Sequence, residues 1–137
     1  MARQILVGYD GSPAAQRALD FALQLARGLG ARVRVLYAVS LPTGSPEAVA
    51  SLLADPEALH PGMAALIAER AARAGVQADF GVVPGSAGDV LLAEIRQGGV
   101  DQLVIGSSGR GTLARWLLGS VMGQLVGNGQ VPVTVVP

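Results

Sequence analysis

Five short β-type runs punctuate the chain, and two of them are apolar without interruption. Ile5-Leu6-Val7 lies within the run 4–9, and Leu103-Val104-Ile105 within the run 102–106. A strand with one wet face alternates apolar and polar residues. A run that is apolar at every position is covered on both faces, as in a parallel sheet flanked by helices. The other runs are 33–39, 77–83 and Val131–Val136, with helix-length segments between them. Such alternation predicts an α/β fold: a single five-stranded parallel sheet, a Rossmann-like open α/β/α sandwich with right-handed crossovers.

The intervening segments carry helix signals. Ser12 offers an N-cap oxygen, Pro13 suits the first helical position, and Gly28 and Gly30 supply the stop. Ala18, Ala22, Leu25 and Leu29 recur at helical spacing, Leu19 and Ala26 widen the stripe, and Asp20, Gln24 and Arg27 take the wet side. Residues 61–74 form a second candidate helix, ended by Gly75. Ser86 with Asp89 resembles a capping box for a helix over 87–97, stopped by Gly98-Gly99. A last short helix is expected from near Gly119-Ser120 to Asn128-Gly129. Segment 40–60 contains three prolines and reads as a loop with a turn of helix.

Composition removes several function classes. A length of 137 residues suits one domain, spanning 1–137. Ten basic residues balance ten acidic ones, against the broad basic face of a phosphate-backbone binder, so no nucleic-acid partner is expected. All ten basic residues are arginine. Without lysine there is no Walker lysine, no Schiff base and no receiver-domain lysine. Without cysteine there is no disulfide, thiol nucleophile or thiolate metal site. The opening apolar run is too short for a signal-peptide core, and nothing approaches the roughly 18 apolar residues of a membrane span. A soluble, cytoplasmic protein is expected.

In an open parallel sheet, ligands sit beyond the carboxyl ends of the strands, where the strand order reverses. The loops after the first and fourth runs are therefore the places to search. The first reads Gly8-Tyr9-Asp10-Gly11-Ser12. The second reads Gly106-Ser107-Ser108-Gly109-Arg110-Gly111-Thr112, and Gly119-Ser120-Val121 follows at the next helix start. Glycines admit backbone N–H groups to an anion, and a helix start adds its dipole. They also simply turn a chain from strand to helix. Three glycines and a serine in a strand–loop–helix context favour a phosphate site. Arg110 and Arg115 are either phosphate partners or solvated charges. Asp10 is either a turn residue at a helix start or a carboxylate that accepts from ribose or adenine. His60 reads as a solvated loop residue, and Trp116 as packing beneath the loop.

These motifs resemble the universal stress proteins of the UspA-like superfamily, specifically the ATP-binding branch. The likeness runs from Ile5-Leu6-Val7-Gly8-Tyr9-Asp10-Gly11-Ser12 to Val131-Pro132-Val133-Thr134-Val135-Val136. Its most specific piece is Gly106-x-x-Gly109, nine residues, Gly119-Ser120, which matches the family's nucleotide motif G-x-x-G-x9-G-[ST]. The resemblance implies an adenine-nucleotide α-hydrolase-like fold binding ATP with Mg²⁺. It places Gly8, Tyr9 and Asp10 at the base or ribose end, and Ala38 where a backbone segment meets adenine. Ile105 and Gly106 fall under the ribose, and Gly109, Gly119, Ser120 and Val121 at the phosphates, with Arg110 beside Gly109 as a candidate phosphate partner. Tyr9 departs from the family, where a smaller residue is usual, as does the short, proline-rich segment 40–60.

The expected function is a regulatory ATP-binding dimer in stress response with slow or no hydrolysis. No general base or lysine clamp accompanies the phosphate loop, which suits a binder better than an enzyme. The alternative is a nucleotide-independent dimeric interaction module. An ATP-pyrophosphatase needs S-G-G-x-D-S after the first strand, where this chain has Tyr9-Asp10-Gly11-Ser12-Pro13. Val131–Val136 is apolar, uncharged and terminal, with Pro132 removing one donor near its start. Such an edge invites pairing with the same strand of a second copy, giving a homodimer, and the family resemblance points the same way.

Overall fold

The run after Arg3 forms the first strand, β1 (Gln4–Gly8), which takes the middle of a five-stranded sheet. The computed structural model describes residues 3–39, 46–47, 50, 54–55, 61–107 and 131–137. After β1 come α1 (Pro13–Leu29), β2 (Arg32–Val39), α2 (Met63–Ala74), β3 (Ala78–Pro84), α3 (Ala87–Arg96), β4 (Gln102–Gly106) and β5 (Val133–Val136). The strands lie in the order β3-β2-β1-β4-β5, every neighbouring pair parallel. This is the expected Rossmann-like α/β sheet. The helix expected over 119–129 and most of segment 40–60 lie outside the described residues.

Local chemistry starts and stops the helices. Ser12 is extended, and its Oγ accepts the Ala15 N–H at 3.1 Å, satisfying one of α1's unpaired donors. Ser86 does the same for α3, accepting from the Asp89 N–H at 3.3 Å. Gly30 and Gly75 end α1 and α2 with φ of +67° and +69°, left-handed values that side chains rarely adopt. Helix α2 begins at Met63 rather than at 61, because Gly62 itself lies at φ +82° and cannot continue a helix. Strand β5 begins at Val133, after Pro132, and not at Val131.

The double apolar runs are explained by two cores, one on each face of the sheet. Ile5, Val7 and Tyr9 of the β1 segment join Val33, Val35 and Val104 under α1 and α2. Leu6, Leu36, Leu103 and Ile105 point the other way, under Val90, Leu91, Leu92 and Ile95 of α3. Fully burying each such Leu or Ile stabilises by about 1.5–3 kcal/mol, so every position of Ile5-Leu6-Val7 and Leu103-Val104-Ile105 is used.

The face that α1 buries is Ala14, Ala15, Ala18, Leu19, Ala22, Leu23 and Ala26. This corrects the predicted stripe at its far end, since Leu29 is exposed and Leu25 only half-buried. Seventeen helical residues span about 25 Å, whereas five strand residues span about 16 Å, so the last turn overhangs the sheet. Among the described residues, no helix is long and apolar enough to cross a membrane.

Candidate functional site

From β1 the chain winds outward through β2 to β3, then returns under the sheet through α3 to β4 and β5. The strand order therefore reverses between β1 and β4. A crevice opens there beyond the carboxyl ends, because the crossovers from the two strands leave in opposite directions. Gly8 pairs with Ile105 at this end, and Gly106 follows.

One residue past β1, the Tyr9 N–H still donates to Leu36 O at 3.0 Å and holds the loop to β2. The next side chain then governs the turn. Asp10 Oδ1 accepts the Ser12 N–H at 3.0 Å, closing an Asx-turn that delivers the chain into α1. That bond engages one carboxylate oxygen. Its negative field is felt by two phenols, for both Tyr9 and Tyr37 have raised pKa values, caused first by burial, with Asp10 adding to each.

Gly8, Tyr9 and Asp10 meet Leu36 and Ala38 of β2 and Ala87, Val90 and Leu91 of α3 around one cleft. The enclosed space is about 10 Å³, room for roughly one water. By themselves these eight residues do not enclose a nucleotide. They form an apolar floor with one carboxylate at its rim.

Four predicted site residues, Gly8, Tyr9, Asp10 and Ala38, are thus brought together. Tyr9 contributes to the floor from the loop, but its ring follows Ile5 and Val7 into the α1–α2 core and is 3% exposed. The phenol that departs from the family pattern is turned away from the α3 side. Ile105 is fully buried in the α3 core, one strand over. Gly106 packs against α1, where an added Cβ would lie 2.5 Å from the Ala14 carbonyl carbon. The Ser107 N–H donates to Val136 O at 2.8 Å, so the first amide of the glycine loop serves β5. Gly109, Arg110, Gly119, Ser120 and Val121 lie outside the described residues, as do His60, Arg115 and Trp116.

Sequence reading missed Leu36, Ala87, Val90 and Leu91. Leu36 was accessible through strand alternation, since it shares a face with Ala38. The α3 residues become visible only once α3 is known to cross beneath β1 and β2. Among the described residues, no three histidine or acidic side chains gather as metal ligands.

The architecture is a Rossmann-like parallel α/β sheet, and the comparisons with known proteins agree with it. The sequence matches the universal stress protein family over residues 1–137. The chain belongs to the universal stress protein family. It is 28% identical to the universal stress protein YxiE of Bacillus subtilis (strain 168), with 99% of each chain covered. A crystal structure of a universal stress protein in complex with cAMP is 26% identical, with a TM-score of 0.71, covering 98% of this chain and 96% of that one. The universal stress protein UspA from Lactobacillus plantarum is also 26% identical, with a TM-score of 0.69, covering 98% and 97%. These two solved universal stress proteins thus share this chain's fold over 98% of its length.

Proposed function

We propose that this chain is an ATP-binding universal stress protein of the nucleotide-binding branch, a single cytoplasmic domain that acts as a regulatory dimer and hydrolyses ATP slowly or not at all. One observation carries the reading. Gly8, Asp10 and Ala38 converge at the carboxyl ends of β1 and β2, at the same end of the sheet at which β4, on the other side of β1, opens the sequence Gly106-x-x-Gly109. The cAMP complex of a 26% identical universal stress protein supports an adenine nucleotide as the ligand class.

In this reading the free oxygen of Asp10 accepts from the ribose or adenine, and Ala38 supplies backbone contact at the base. Gly109, Gly119 and Ser120 offer N–H groups and a hydroxyl to the phosphates. Mg²⁺ fits as a companion of the phosphates and of water, since the described residues offer it Asp10 rather than a cage. Bound Mg²⁺ would neutralise phosphate charge. Mass analysis of nucleotide released from the denatured protein is expected to find an adenine nucleotide. Equilibrium dialysis that detects no Mg·ATP binding would favour the nucleotide-independent interaction module instead.

Two substitutions locate the contacts. Gly119→Val is expected to weaken ATP binding by at least about tenfold, because a branched Cβ bars the phosphate from the backbone. Ser120→Ala should lose about 1.5–3 kcal/mol if its hydroxyl meets a charged phosphate. A folded Gly119→Val protein with unchanged ATP affinity sinks the phosphate assignment. Asp10→Ala removes both the Asx-turn and the proposed ligand contact, whereas Asp10→Asn keeps an oxygen for the Ser12 N–H. The expected pattern is weaker ATP binding in both variants, with a lower melting temperature only in Asp10→Ala. Full affinity in both would leave Asp10 as a turn residue alone.

A further inference from the structure

A groove runs between α1 and α2 on their solvent side. Asp20, Leu23 and Arg27 of α1 line it against Arg70, Arg73 and Ala74 of α2, and its volume is about 500 Å³. Leu23 is buried and Ala74 half-buried, so they form an apolar floor between charged walls. Helix α1 runs from the carboxyl end of β1 back to the amino end of β2. Its last turn, with Arg27, therefore stands at the end of the sheet away from the nucleotide cleft.

The charge of this groove is lopsided. The whole chain is neutral, yet among the described residues three arginines and one carboxylate line the groove. The three arginines are held to different degrees. Arg70 is fixed, since Nη1 donates to Asp20 Oδ1 and Nη2 to Gln16 Oε1, both at 3.2 Å. These bonds tie the two helices together and occupy Asp20. Arg73 pairs with Glu69 at 2.7 Å within α2, but the two side chains are 78% and 58% exposed. An exposed pair one helical turn apart is weak and yields to a competing carboxylate. Arg27 is exposed and has no carboxylate partner among the described residues. A cation in the last turn complements its own helix dipole, and Arg27 and Arg73 both do so. The dipole is satisfied on any side of a helix, so it does not explain why both face one groove.

The spacing of the arginines sets the kind of partner. Arg70 stands level with Asp20, to which it is bonded, and Arg27 lies two turns further along α1, about 10 Å away. Positive charge is thus spread along an open trough rather than gathered on one point. A single small anion meets only part of it. An extended chain covers about 10 Å in three residues, so two or three carboxylates on such a chain reach the arginines together. We propose that this groove docks an extended acidic segment of a partner protein. Its carboxylates accept from Arg27 and Arg73, with Arg70 as a fixed positive wall, and its backbone lies over Leu23 and Ala74. Opposite charge across the contact gives the partner its selectivity.

Hexaglutamate blocked at both ends is a suitable probe, titrated into ¹⁵N-labelled full-length protein. Saturable amide shifts are expected at Gln24, Arg27, Arg73 and Ala74, and blocked hexaglutamine should produce none. Arg27→Gln and Arg73→Gln should each weaken the probe about fivefold, and the double variant by more than either, with melting unchanged because both side chains are exposed. Arg96→Gln removes the same charge from the exposed end of α3 and should leave the affinity as it was. Succinate, a small dianion, should compete only at far higher concentration. The proposal is overturned by the absence of saturable shifts, by shifts confined to Gly8, Ala38 and Ala87, or by an equal loss in Arg96→Gln, which would mean attraction to net charge alone. Succinate binding here as tightly as the peptide would also overturn it, making the groove a small-anion site.

Discussion

Gly106→Val is expected to lower the melting temperature by roughly 10 °C, or to prevent folding. A Cβ at this position would stand 2.5 Å from the Ala14 carbonyl carbon, 2.6 Å from its oxygen and 2.8 Å from the Ala15 nitrogen. All three atoms are backbone, in the first turn of α1, so no rotamer change relieves the clash. The helix would have to lift from β4, opening the contacts of Ala15, Ala18 and Ala22 with the sheet. Overpacking of this kind costs about 3 kcal/mol or more, and each kcal/mol moves the midpoint by about 3–5 °C in a domain of this size. Gly81→Ala makes a useful comparison. Its added Cβ meets side-chain ends and no backbone, the Leu36 Cδ2 at 3.2 Å and the Arg34 Nη2 at 3.8 Å, and the loss should be much smaller. A Gly106→Val protein that melts like its parent would mean that α1 does not approach β4 so closely.

The result also bears on how the glycine motif is interpreted. Gly106 opens G-x-x-G, yet its lack of a side chain is demanded by helix packing on the far side of the strand. Lost nucleotide binding in a Gly106 variant would therefore say little about phosphate. Gly109 and Gly119 are the positions that report on it.

What could be read in advance was what a few neighbouring residues decide. Ser12, Gly30, Gly75 and Ser86 end or begin helices through bonds within one turn, so their sequence signals translated directly. The parallel sheet followed from two runs with no polar residue. The strand order did not, because a crossover's destination depends on contacts across the whole chain. Three consequences were hidden with it: the packing of Gly106 on α1, the arrival of Ala87 and Val90 at the cleft, and the overhang of Leu29. Tyr9 is a different case. Its parity with Ile5 and Val7 assigns it to their face, but β1 is apolar on both faces, and hydrophobicity alone could not say which core that was.

Introducing charge at β5 is expected to convert a homodimer into a monomer, and the direction of β5's backbone groups says where the charge must go. The Leu103 N–H donates to Pro132 O at 2.9 Å, and the Ser107 N–H to Val136 O at 2.8 Å. Backbone groups alternate sides along a strand, so Pro132, Thr134 and Val136 face β4. Pro132 therefore lacks its donor on the sheet side, and not on the outer edge as the sequence suggested. The outer edge presents the N–H and C=O groups of Val133 and Val135, an uncharged template for another strand. Beside it, Arg17 Nε holds the Pro137 carbonyl at 2.7 Å, which sets that flank of α1 against the end of β5. One turn along the same flank is Phe21, 41% exposed, and Val135 is 43% exposed. Antiparallel pairing across a two-fold axis would satisfy the backbone groups of both copies and cover these side chains together. Light scattering should give a mass near twice 13.9 kDa for the parent protein. Val135→Lys should shift it toward 13.9 kDa with little change in melting of the monomer, since Val135 is the exposed member of the pair. Val133 packs against the α3 core, so Val133→Lys alone would mix loss of pairing with loss of stability. A protein that remains dimeric with lysine at both positions would place its interface elsewhere, and a parent protein at 13.9 kDa would make this edge a covered one.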